Sequence, residues 1–130
     1  MAREIIISVI IVISVFIIDF TTSRYTEQTI SEFEQDFKEI RFELEKKESI
    51  KKEYINNKME KIKEKWQKKY EKLAFYIEHD ELEKVETEIY NLKANIDTDE
   101  YEEAIEKIEK CRFILKHIEN KETLSIKNIF

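Results

Sequence analysis

Two histidines, one cysteine and a few aromatics are the residues of this chain best suited to chemistry. His79 and Glu83 lie four apart, which puts them on one helix face, but two ligands do not close a zinc site. Tyr76 stands three positions before His79 and Ile114 three before His117, so neither histidine completes the Glu-x-x-His pair of a di-iron bundle. A nucleophile–base pair of Cys111 and His117 would need a shared face. Six residues of helix turn through about 600° and leave them about 120° apart. Cys111 therefore reads as a small buried hydrophobe, and a lone cysteine makes no internal disulfide. The chain has no glycine, which removes the P-loop, the dinucleotide fingerprint and the nucleophile elbow, since each needs glycine for its backbone geometry. The expectation is a non-enzyme with no catalytic residue, cofactor or metal. Trp66, Tyr76 and His79, with Phe75 nearby, are the set that could line a pocket between helices. The competing reading of such aromatics is core packing.

The elements that must position these residues differ sharply along the chain. Residues 5–18 read Ile-Ile-Ile-Ser-Val-Ile-Ile-Val-Ile-Ser-Val-Phe-Ile-Ile, without a charge. As a helix this run covers about 21 Å, short of a bilayer core of ~30 Å. Extension through Met1 and Ala2 on one side and Phe20 to Thr22 on the other brings it near spanning length, with Arg3 snorkelling. A cleaved signal peptide is the alternative, but no Ala-x-Ala site follows the run. We expect residues 1–22 to be an uncleaved membrane anchor and residues 23–130 an extracytoplasmic helical bundle. Arg3 and the amino terminus form the positive flank that stays in the cytoplasm.

Beyond Tyr25, apolar residues recur every three or four positions. The sets are Ile30, Phe33, Phe37, Ile40, Leu44; then Ile55, Met59, Ile62, Trp66, Tyr70, Leu73, Ile77; then Leu82, Val85, Ile89, Leu92, Ile96. The fourth is Tyr101, Ile105, Ile108, Cys111 or Arg112, Leu115, Ile118. Each is an amphipathic helical stripe, and no segment alternates with the period of a strand. With no Gly or Pro, capping residues must mark the ends. Asp97 with Glu100 reads as one helix start, and Asp80 with Glu83 as a weaker one. Around residues 46–49 the stripe loses phase, so a turn or one long helix could lie there. The fold expected is all-α: an N-terminal transmembrane helix followed by an antiparallel bundle of three or four helices.

The net charge of −6 argues against nucleic acid as a partner. Charge is also segregated: residues 46–72 hold eleven lysines against five glutamates, between two acidic segments. A basic helix that pairs with its acidic neighbours explains this, as does a basic face for a polyanion; the first is favoured. The tail Leu124-Ser-Ile-Lys-Asn-Ile-Phe130 is apolar outside the stripes. It is expected to pack back over the bundle end, with Leu124, Ile126, Ile129 and Phe130 as the alternative partner contact.

The apolar start, the Trp66 helix, Phe75-Tyr-Ile-Glu-His-Asp-Glu81, Phe113-Ile-Leu-Lys-His-Ile118 and the closing Asn-Ile-Phe carry a resemblance over nearly the whole chain. It resembles a domain-of-unknown-function family of short single-anchor membrane proteins from anaerobic, endospore-forming Gram-positive bacteria. That resemblance implies a membrane-tethered helical domain and brings no catalytic residues. The function expected is contact with a membrane protein or self-association at the cell envelope. A small-ligand sensor working through a membrane partner is the alternative.

Overall fold

With neither glycine nor proline to break a helix, ends must come where the apolar stripe runs out, and long helices result. A computed structural model of the chain describes the backbone of residues 1–129 and the side chains of residues 1–124. It contains four helices: α1 (Ala2–Leu44), α2 (Lys52–Leu73), α3 (His79–Asp97) and α4 (Tyr101–Ile129). No strand occurs among the described residues. Each helix packs against two others, α1 on α2 and α4, α3 on α2 and α4, and among the described residues the backbones of the diagonal pairs do not approach closely. The order is therefore up-down-up-down around one core, the arrangement that short connections favour.

The stripes fill that core. Phe33, Phe37, Ile40 and Leu44 from α1 meet Ile55, Met59, Ile62 and Trp66 from α2, and the full α3 set is buried. Phe33 packs edge-on to Trp66 with centroids 5.7 Å apart, and Trp66 edge-on to Tyr70 at 6.1 Å. On α4 the phase differs in one place from the expected stripe. Ala104 is buried at the helix start, and Tyr101 and Ile105 are only partly covered. Cys111, not Arg112, takes the core position. A small residue at 104 lets α4 approach its neighbours where the bulkier Tyr101 and Ile105 flank the contact.

Helix α1 passes through residue 22 without a break. Its first part, from Ile5 to Phe20, stands outside the bundle with its side chains largely exposed, and its second part forms one wall of the core. By length and composition it is the one helix among the described residues able to cross a membrane.

The connections show how a chain without glycine turns. Residues 45–51 separate α1 from α2, so the loss of phase near 46–49 is a turn. Lys47 adopts a left-handed φ of 55° there. Glu43 is buried and organises this turn: its carboxylate accepts from Lys46 Nζ (2.8 Å) and from the backbone N–H of Lys51 (2.9 Å). Those two bonds, Lys46 first, hold its pKa below the ordinary carboxylate value. Between α3 and α4, Asp99 is left-handed (φ 59°). Its N–H bonds to the Ile96 carbonyl, and the Glu100 N–H to that of Asn95. This double bond pattern normally ends on glycine.

Two expected starts move as a result. Asp97 ends α3, paired with Lys93 at 2.8 Å, and does not begin α4. Helix α3 begins at His79, behind Glu78 as its N-cap, so Asp80 lies inside its first turn. The expectation that the tail packs back also changes. The backbone stays helical to Ile129, so residues 124–129 prolong α4.

Candidate functional site

Trp66, Tyr76 and His79, expected as one pocket, occupy three different settings. Trp66 is 2% exposed and faces the core. His79 is exposed and stacks on Tyr70 with centroids 6.5 Å apart, so an aromatic run leads from Phe33 to the α3 start. Tyr76 turns the other way, to α1. Its hydroxyl lies 2.6 Å from Thr26 Oγ1, and both hydroxyls reach the Thr22 carbonyl, at 3.2 and 2.9 Å. Burial raises the pKa of Tyr76, against the hydrogen bond with Thr26 that lowers it. Trp66 and Thr29 line a cavity of about 10 Å³, which is room for at most one water. Tyr76 borders a cleft of about 150 Å³ with Glu81, Ile118 and Lys121.

Of the tail residues named as partner contacts, Leu124 is 57% exposed. The side chains of Ile126 and Ile129, and Phe130 as a whole, lie outside the described residues. Cys111 and His117 stay apart: the cysteine is fully buried, and His117 is exposed with Nε2 3.9 Å from Glu81. Burial pushes the Cys111 thiol up to about 12, which removes its nucleophilic thiolate at neutral pH. Among the described residues no three His, Cys, Asp or Glu side chains cluster as metal ligands.

One open concavity is marked by no sequence motif. An open groove of about 980 Å³ runs between α1 and α4, with Ile30, Phe113 and Ile114 as its apolar lining. Phe113 is 75% exposed, an aromatic displaced from the α4 stripe between Arg112 and Ile114. That displacement was the available signal: a large apolar residue on the polar face of an otherwise regular helix.

The groove's charges are largely spent on each other. Arg112 donates to Glu34 through Nε (2.9 Å) and Nη2 (2.5 Å) and to Glu109 through Nη1 (2.8 Å). Arg41 also bonds Glu109 and, at 2.8 Å, Glu45. Burial would raise the Glu109 pKa, but its two arginines outweigh that and hold it low. A carboxylate so held is a poor general acid or base near neutrality. The lysine-rich α2 is answered in the same way by α1: Lys58 bonds Glu39, and Lys65 lies 2.5 Å from Asp36. Four lysines of the basic segment, Lys46, Lys52, Lys58 and Lys65, thus pair with acidic neighbours inside the bundle.

Fold and surface together define a class: a four-helix bundle carried on the end of an apolar helix, with a solvent-open groove where its first and last helices meet. The chain belongs to the family described as a domain of unknown function, DUF4363, whose model matches residues 20–129. The match begins where the apolar run ends. No curated protein and no solved structure matches the chain.

Proposed function

We propose that this chain is a non-enzymatic, membrane-anchored helical protein that acts through protein–protein contacts at the cell envelope. One observation carries the reading: the exposed apolar stretch and the first bundle helix are a single unbroken rod. A domain joined in this way is held close to the bilayer, so its partners are membrane or envelope proteins, or a second copy. Residues 1–22 act as the anchor, the amino terminus stays inside, and the bundle stands outside. The finer resemblance, to single-anchor proteins of anaerobic endospore formers, belongs to the same proposal.

The groove with Phe113 is the partner surface. Affinity capture from detergent-solubilised membranes with the whole chain tests this. A specific membrane protein or the chain itself should be retained, and Phe113→Glu should reduce retention severalfold. Hydrolytic turnover or stoichiometric metal in the purified chain would overturn the non-enzymatic reading.

A second reading is favoured by the groove's volume, which falls within the range of small-ligand sites. It is a sensor bundle signalling through a membrane partner. A ligand-dependent rise in melting temperature, lost in Phe113→Glu, would support it over the first.

A further inference from the structure

Three elements reach the same level of the molecule where the apolar run of α1 gives out. The α2–α3 connection is fixed there by Tyr76, whose hydroxyl bonds the Thr22 carbonyl. Helix α4 comes down beside the same stretch, and Glu122 lies close enough to Asp19 to feel its charge. Each element carries an exposed apolar side chain at or beside that level: Phe20 (66% exposed) on α1, Phe75 (89%) on the connection, and Leu124 (57%) on α4. Phe75 is the most exposed aromatic among the described residues and adjoins the Tyr76 that pins its loop.

Amphipathic groups surround them. Tyr25 is half-buried, about two turns beyond Ile18 where the run ends, with the Lys69 and Lys72 ammonium groups 5.0 and 5.6 Å from its ring centroid. Tyrosine and lysine side chains grouped beside an apolar span are the composition of a membrane interface. The geometry of α1 sets the depth. The apolar run ends at Ile18 and Asp19 is the first charge after it, so the span leaves the hydrocarbon near Phe20. No glycine or proline interrupts α1 between the run and the bundle wall, so the bundle cannot swing freely away from that depth.

We propose that the membrane-proximal end of the bundle is itself a second lipid contact, with Phe75 seated in the interfacial layer of the leaflet from which α1 emerges. The occupant is the lipid surface, and Leu124 and Tyr25 border the same contact. This rests on the reading of residues 1–22 as a membrane anchor. Two contacts, one spanning and one interfacial, hold the bundle at a set tilt and direct the α1–α4 groove along the membrane surface.

The test uses the whole chain reconstituted in phosphatidylcholine vesicles containing a minority of phosphatidylglycerol. Phe75→Trp places a reporter at the contact, and Phe113→Trp places one in the groove; buried Trp66 is a constant background in both. Neither substitution touches the core, since both side chains are exposed. With lipids brominated high on the acyl chain, emission from the Phe75→Trp reporter should fall by roughly half, because interfacial groups sit ~5–10 Å into the headgroup–acyl boundary. The Phe113→Trp reporter should be unaffected by brominated lipid and remain open to aqueous iodide. The inference is overturned if the Phe75→Trp reporter behaves like the Phe113→Trp one while alkaline extraction leaves the chain in the vesicles. Release of the chain on alkaline extraction overturns the anchor reading, and the lipid contact falls with it.

Discussion

At the scale of single residues the molecule is governed by what burial does to polar and ionisable groups. Cys111 is the plainest case: with its thiol pushed up to about 12, it should resist a soluble disulfide reagent at about pH 8 in the folded chain and react fully in denaturant. Labelling stoichiometry with and without denaturant checks this. Rapid labelling of the folded protein would place the thiol outside the core. Glu43 is the opposite case, a buried carboxylate whose pKa is depressed by Lys46 and by the Lys51 N–H. A depressed pKa contributes stability that is present above the unfolded value and lost as pH falls through the folded one. The carboxylate should therefore stabilise the fold near neutrality and stop doing so in acid. Thermal melts from about pH 7 to about pH 3 should show Glu43→Gln melting lower at neutrality and converging on the parent in acid. Parallel curves across that range would remove Glu43 as the organiser of the turn. Glu122 works in the other direction, since burial first and Asp19 second raise its pKa. The comparison with the Gln variant isolates Glu43 from it.

At the scale of elements, most of the architecture is legible in periodicity because each helix buries one stripe against one core. Every member of the first and third stripes is buried, and the second departs only at half-covered Tyr70. The ends were harder to read. Capping grammar placed a start at Asp97, yet that residue closes α3, because Asp99 adopts the conformation glycine usually supplies. Aspartate at such a site is indistinguishable in sequence from an N-cap. The same logic makes the turn before α2 improvable. Lys47 is exposed and left-handed, a conformation costing a non-glycine residue ~1–2 kcal/mol, whereas glycine loses ~0.5–1 kcal/mol in unfolded-state entropy. Lys47→Gly should therefore stabilise the fold by about 0.5–1 kcal/mol in denaturant titration. A loss of stability would mean that the lysine side chain matters more to this turn than its backbone does.

At the scale of the whole molecule, the helix that carries the apolar run is also one of the four walls of the core. Removal of residues 1–22 leaves every buried residue of the bundle in place, since burial begins at Thr26. The fragment 23–130 should be soluble and cooperatively folded, whereas the whole chain should partition into detergent or membranes. Circular dichroism melts and phase partitioning check both halves of that statement. An unfolded fragment would show that α1 needs its upstream turns as a nucleus. What the sequence determined by itself is the all-helical class, the separation of an apolar run from a charged domain, and the membership of nearly every core position. Those properties depend on composition and on a period of 3.6, which each segment carries alone. Tertiary structure alone decided that run and bundle wall are one rod, that Trp66 and Tyr76 face different neighbours, that Phe113 borders a groove, and that the Tyr76 hydroxyl reaches the Thr22 carbonyl. These are relations of angle and height between helices, set by how four ridged surfaces interlock, and no single segment records them.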